Sequence, residues 1–275
     1  MKTNVLCSLM SGFVIMLCAC SQDEQIAPAP LASDSATSYK LSGDDILDVV
    51  INPANFTVNV DNPYFPLRPG ETLHYVSTTK ERNEIETKFI TSTTLCETKF
   101  ISALGVTARI VHVVETDEEG NVLEDTYDWY AQDLKGNVWY FGEATVAFDD
   151  GVPSTEGSWE AGKDVAGVGE IAKPGIIMWA NPQKHIGEIY YQEFYPDVAE
   201  DQGKVLPSMR TVKVPYGMFH KVLTTEDFTA LEPGAIERKS YVMGIGNVLA
   251  ESAKGGQEKE REVLVDITFD ATLCN

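Results

Sequence analysis

The sequence predicts an all-β protein: an antiparallel meander forming a barrel or half-barrel, with few or no helices. Three observations carry this. Short runs rich in Val, Ile, Thr and aromatic residues recur from Glu71 to Phe269, often alternating apolar with polar. Turn signals built on Gly, Asn, Asp and Pro separate the runs. Capped amphipathic stretches of helical period are scarce. Strands that follow one another at short spacing pair most simply as neighbours in one sheet.

The elements are justified in chain order. Residues 1–19 read as a signal segment: Lys2 gives a positive start and Val5 to Leu17 a short apolar run. That run falls short of the about 20 residues a membrane span needs but suits secretion. Its end, Leu17-Cys18-Ala19-Cys20, resembles a bacterial lipobox, with Cys18 where Ala, Ser or Thr is commoner. Cys20 is then the first mature residue and carries acyl chains, palmitate among them, each buried CH₂ adding about 0.8 kcal/mol of anchoring. The alternative is an ordinary signal peptide with Cys20 incidental. Ser21, in place of Asp, favours an outer-membrane over an inner-membrane destination, with the domain facing the periplasm or the surface. Residues 20–43 form a Pro/Ala/Ser-rich tether. A single β-rich domain is expected over 44–275.

Four prolines in 52–70 exclude a helix there and predict an extended lead-in with turns. Strands are expected at 72–79, 84–94, 106–115, 123–132 and 138–148, the last two joined across Asp133-Leu-Lys-Gly-Asn137. A long Gly-rich loop is expected at 149–175. Strands resume at 186–195, 202–206, 210–214, 219–227, 235–242, 246–252 and 262–269, with room for a short helix near 196–202.

The 275 residues can bury a substantial core, and 43% are hydrophobic. Against 21 Lys and Arg stand 42 Asp and Glu, a net charge of −21. Such a surface repels phosphates and anionic headgroups, so nucleic acid is not an expected partner and the membrane is met only through the lipid on Cys20. The acidity serves solubility or cation binding. After the signal segment only Cys20, Cys96 and Cys274 remain. With Cys20 acylated, Cys96 and Cys274 are expected to form a disulfide in an oxidising compartment; two unpaired thiols or a metal site are the alternatives.

Candidate sites follow from the predicted hairpin. If Tyr130 pairs Tyr140, then Tyr127, Trp129, Trp139 and Phe141 share one face, and Asp128, Tyr130, Gln132 and Tyr140 the other. The second face could hold a polar ligand between acids and tyrosines, joined by Glu143 and Glu193; the plainer reading is barrel wall. In YYQEFYPDVAED, Glu193, Asp197, Glu200 and Asp201 could take Ca²⁺, though no EF-hand spacing is present and a solvated acidic loop explains them as well. His74, His112, His185 and His220 show no ligand spacing. No GxSxG, SxxK or P-loop occurs, and Gly244-Ile-Gly246 precedes a strand, so it is a turn.

The blocks NPYFPLRPGE (62–71), GVTAR (105–109), EDTYDWYAQDLKGNVWYFGE (124–143), GSWEAG (157–162), PGIIM (174–178), YQEFYPDVAED (191–201), VPYG (214–217) and GIGNVLAE (244–251) resemble a family of uncharacterised bacterial secreted proteins and lipoproteins. The resemblance spans 52–269 and implies no mechanism. The late pattern, VPYG (214–217) followed by two strands, EPG (232–234) and GIG with apolar residues after it (244–246), is also similar to periplasmic lipoprotein-carrier half-barrels, which implies a concave apolar face. The expected function is therefore an envelope-anchored binding or accessory module for a small or lipid-like ligand or a partner protein. The alternatives are a hydrolase built on Asp128, Glu143 and Glu193, with Ca²⁺ assistance, and a structural envelope protein.

Overall fold

Alternation along each strand sends one set of side chains inward and the next outward, and that rule builds the barrel. A computed structural model describes residues 49–81, 84–149, 151–207, 210–254 and 259–274. The signal segment, Cys20 and the tether lie outside the described residues. Among the described residues seventeen strands form one antiparallel sheet. In chain order they are β1 (Phe56–Thr57), β2 (Glu71–Glu81), β3 (Glu84–Ile101), β4 (Val106–Thr116), β5 (Val122–Asp133) and β6 (Val138–Asp149). Then come β7 (Val152–Ser154), β8 (Trp159–Glu160), β9 (Lys173–Met178), β10 (Ile189–Tyr191), β11 (Glu193–Phe194) and β12 (Asp201–Val205). The last are β13 (Arg210–Val214), β14 (Gly217–Thr229), β15 (Ile236–Val242), β16 (Gly246–Lys254) and β17 (Lys259–Phe269). The described helices are 3₁₀ turns of three or four residues.

The meander runs β2 to β6 and β14 to β17, each strand pairing its successor. Two contacts bring the sheet back on itself. β17 pairs with β2 from Lys259↔Lys80 to Phe269↔Glu71, joining late chain to early. At the other end the bent segment 189–194 pairs through β10 with β12 and through β11 with β9, which in turn pairs with β6. The sheet is nearly closed into a barrel.

The expected loop at 149–175 is a correction: β7, β8 and the start of β9 lie within it, all paired with β6. Local composition there signals turns, while the partner that makes the strands is β6, a long strand with unpaired edge groups to satisfy. The expected strand 186–195 is broken at Gln192, and the allowed helix near 196–202 is a tight turn with Tyr195 bridged to Ala199 and Asp197 at φ 59°.

Inside the barrel stand Val111, Val113 and Glu115 of β4, and Thr126, Asp128 and Tyr130 of β5. Outside, aromatic rings are covered by other chain segments. Phe56 meets Trp139 and Phe141 edge-on at 6.0 and 5.4 Å. Lys99 lies 4.5 Å over the Trp129 ring, a cation–π contact. Cys96 and Cys274 are disulfide-bonded with Cα atoms 5.2 Å apart, so the chain end is tied to β3.

The proline-rich lead-in caps one mouth of the barrel. Gln132 accepts from the backbone N–H groups of Asp61 and Asn62 (3.0 and 2.9 Å) and donates to Asp61 Oδ1 (2.6 Å). Asn62 donates to the carbonyls of Gly136 and Trp179, and Gly244 N donates to Pro63 O at 2.7 Å. Arg68 closes the clasp by pairing with Glu71 at 2.9 Å and donating to Gly244 O at 2.7 Å. Phe65 is thereby set edge-on to Tyr130, with ring centroids 5.1 Å apart.

Candidate ligand site in the barrel interior

Tyr130 opposes Tyr140 across the β5–β6 hairpin, and their rings stack at 4.8 Å. The next register pair is Asp128↔Glu143, so three steps on β6 match two on β5. This is a β-bulge. It turns Glu143 to the same side as Tyr140 and Asp128, where simple alternation would have turned it outward. The bulge is centred on Gly142, whose φ of 128° suits glycine. β8 crosses so close that a Cβ on Gly142 would lie 2.3 Å from the carbonyl oxygen of Trp159.

The result is a buried cluster. Tyr140 Oη donates to Asp128 Oδ1 at 2.6 Å, and Glu143 Oε2 lies 3.0 Å from the same phenol oxygen. One phenol has one proton, so the second contact is a hydrogen bond only when Glu143 is protonated and donates back. Electrostatics agree. Burial, then the neighbouring Asp128 and Glu193, pushes Glu143 well above the usual carboxylate range. Burial raises Asp128 to about 7, with Tyr140 opposing and Glu124 adding to the rise. Glu193 is raised by burial and by Asp201.

Two cavities meet at this cluster. The larger, about 90 Å³, is walled by apolar side chains, among them Phe65, Leu73, Ile90, Val111 and Ile245. Its ionisable lining includes Glu115, Asp128 and Glu262. The smaller, about 40 Å³, is lined by Glu124, Asp128, Tyr140, Gln192, Glu193 and Lys239, among others. Val113, Asp128 and Tyr130 line both. Lys239 is held by Asp227 at 3.1 Å and Glu237 at 3.3 Å, and these partners raise its pKa well above the usual value although burial alone would lower it.

The structure thus brings Asp128, Tyr130, Tyr140, Glu143 and Glu193 together. Gln132 faces elsewhere, its amide committed to the clasp over Asp61 and Asn62. The four acids considered for Ca²⁺ do not all converge. Glu193 and Asp201 line the smaller cavity, while Glu200 accepts from the backbone of Asp197 at 2.9 Å. Among the described residues no group of three or more His, Cys, Asp or Glu side chains could hold a metal ion. The four histidines contact Thr268, Asp125, Glu188 and Thr211 respectively. Lys239 and Asp227 are not legible as site residues, because charged residues lining a lumen read in sequence like a solvated face.

The raised carboxyls set a pH dependence. A carboxyl with a raised folded-state pKa keeps its proton after the unfolded chain has lost its own, so stability falls as pH rises from the unfolded value through the folded one. Glu115, Asp128 and Glu237 at about 7, Asp201 at about 6 and Glu262 at about 8 place this loss between about pH 5 and 8. Lys239 stays charged throughout that window. A melting temperature about 5–10 °C higher at pH 5 than at pH 8 is expected at constant ionic strength, given about 2–4 °C per kcal/mol for a domain of this size. Glu143→Gln, whose amide donates to Tyr140 at any pH, is expected to shrink that difference; differential scanning fluorimetry checks both.

No protein-family model matches the chain, and no curated protein matches it. Among solved structures, a protein inferred to be exported, with a YmcC-like fold, from Bacteroides fragilis is 15% identical. The match covers 74% of this chain and 98% of that one, with a TM-score of 0.41. An inferred lipoprotein from Parabacteroides distasonis is 10% identical, with 74% and 98% covered and a TM-score of 0.38. Likeness at this level carries no argument; the fold rests on the strand pairing above.

Proposed function

We propose that this chain is an envelope-anchored lipoprotein, held by lipid on Cys20, whose barrel interior binds a small ligand. The supporting observation is an apolar cavity beneath the 62–68 clasp that opens, through Asp128, onto the buried Asp128–Tyr140–Glu143 cluster. Apolar walls supply the driving force and the Asp128–Tyr140–Glu143 cluster the orientation. Size sets a limit. At about 90 Å³ the cavity lies well under the 300–1,000 Å³ that drug-sized ligands fill. A whole lipid would have to displace the clasp, so a compact ligand fits better. A structural role alone gives no reason to line an interior cavity with acids.

A second reading keeps the carboxylate hydrolase, because Asp128 and Glu143 converge on one phenol. Binding is favoured over it, since Tyr140 occupies the space between the two acids where a scissile bond would sit. Native mass spectrometry of the protein purified from its host tests the binding reading. A released small molecule beyond the lipid anchor is expected; only the bare lipidated mass contradicts it.

A further inference from the structure

The chain carries a net charge of −21, yet from Gln202 to Thr225 it holds Lys204, Arg210, Lys213 and Lys221 and no Asp or Glu. Most of this stretch is the β13–β14 hairpin. β14 pairs with β15 only from Leu223 onward, so among the described residues 217–222 has β13 as its strand partner and the hairpin runs on past the paired wall. Val212, Val214 and Val222 form its buried side. Tyr216 N donates to Leu264 O of β17 at 3.2 Å, which fastens the tip.

The outward side is apolar at the tip and basic behind it. Tyr216 is 40% exposed and stacks on Phe219 at 6.4 Å; Met218 is 58% exposed and sits opposite Lys213. A bulge follows, where three steps from Phe219 to Val222 match two from Arg210 to Val212. Within it Lys221 has φ 56°, a left-handed backbone uncommon outside glycine. Simple alternation would turn Lys221 inward; the bulge leaves His220 and Lys221 both exposed and returns Val222 to the buried side. Arg210 is held by Glu251 at 2.8 Å, but among the described residues Lys213 and Lys221 form no ion pair.

We propose that this hairpin is a membrane contact: Tyr216 and Met218 seat in the interfacial layer of a bilayer, and Lys213 and Lys221 meet its anionic headgroups. Apolar side chains exposed singly need no explanation. Here a tyrosine and a methionine share one tip, flanked by two uncompensated cations on an otherwise acidic protein. That order, apolar in front and basic behind, matches the order of layers in an anionic membrane surface. The rest of the surface repels the same headgroups, so the hairpin is the side that can approach them. Each lysine near such a surface adds about fivefold to the contact. Two are too few to recruit a free protein of this charge, but they suffice to orient one already tethered, because a tether keeps the surface within reach. The inference goes beyond ligand binding and rests on the lipid at Cys20.

The test is tryptophan fluorescence of the protein purified from its host and reconstituted into vesicles of phosphatidylethanolamine and phosphatidylglycerol with brominated tails. The four native tryptophans are buried and give the background. Met218→Trp is expected to be quenched about twofold, since interfacial side chains sit about 5–10 Å into the headgroup boundary. Val152→Trp is the control, 66% exposed but next in sequence to Asp149 and Asp150, and should stay at background. Adding Lys213→Gln and Lys221→Gly, which suits the left-handed backbone, should weaken the contact about 25-fold and bring Met218→Trp down to the control. Vesicles of phosphatidylcholine should do the same, while the protein still floats with them. Near-ultraviolet circular dichroism checks each fold. Quenching of Met218→Trp no greater than that of Val152→Trp, or unchanged by the lysine replacements, overturns the hairpin contact and leaves the anchor standing. Blue-shifted emission without quenching would place a protein there and overturn it too. Failure to float with either vesicle overturns the anchor reading, and the hairpin's role with it.

Discussion

Gly142→Ala is expected to destabilise the barrel by about 3–5 kcal/mol, or to prevent folding outright. Two costs combine. At φ 128° an L side chain is strained whatever the space around it. The added Cβ would also meet Trp159 O at 2.3 Å and Glu160 Cα at 2.9 Å, and backbone cannot rotate aside as a side chain can. Relief would require β8 to lift, moving Trp159, which is fully buried and edge-on to Tyr140 at 5.3 Å. Gly120→Ala is the control: its φ of 84° is also positive, but nothing lies within 4 Å. That variant should cost only about 1 kcal/mol. Urea titrations followed by tryptophan fluorescence compare the two. A loss at Gly142 no larger than at Gly120 would sink the bulge account, and with it the reason Glu143 faces inward.

Reduction of the Cys96–Cys274 disulfide is expected to lower the melting temperature by about 10 °C. The bond joins residues 178 apart, so the loop it closes in the unfolded chain is long. Chain-entropy reasoning gives up to about 5 kcal/mol for a loop of that length, and measured values run about 2–4. Location adds to the effect. The bridge anchors the chain end directly after β17, whose pairing with β2 joins the two ends of the meander. Arg109, which donates to the carbonyls of Leu95 and Cys96 at 3.1 and 3.0 Å, holds the β3 side of the bridge. Cys96→Ser/Cys274→Ser should reproduce the reduced protein. A melting temperature unmoved by reductant would mean that the β2–β17 pairing alone secures the seam.

The strands were legible because alternation is local: a half-buried strand writes its two faces into its own sequence. Tyr130 opposite Tyr140 follows from a turn centred in Asp133–Asn137 in the same way. Composition alone groups Glu143 with the site. Its inward aim depends on Gly142, and a glycine inside a strand pattern is the signal that could have marked the bulge. Alternation puts Gln132 in step with Asp128 and Tyr130, yet its amide is drawn away to Asp61 and Asn62, about seventy residues distant in sequence, and no local pattern carries that information. The same limit hid the clasp: prolines in 52–70 exclude a helix but do not say what the extended chain covers. Lys239 and Asp227 are not marked in the sequence because a charged pair in a lumen and one on the surface have the same alternation.

The most direct test of the interior site is ¹³C-methyl NMR of the protein titrated with 1-hexanol, a probe that tests location without regard to charge. The account expects saturable shifts at Ile90, Ile245, Leu73 and Val111, which wall the cavity, while exposed Ile85 and Val50 stay unmoved. Shifts confined to the outer methyls, or none in the wall at saturating probe, would contradict it.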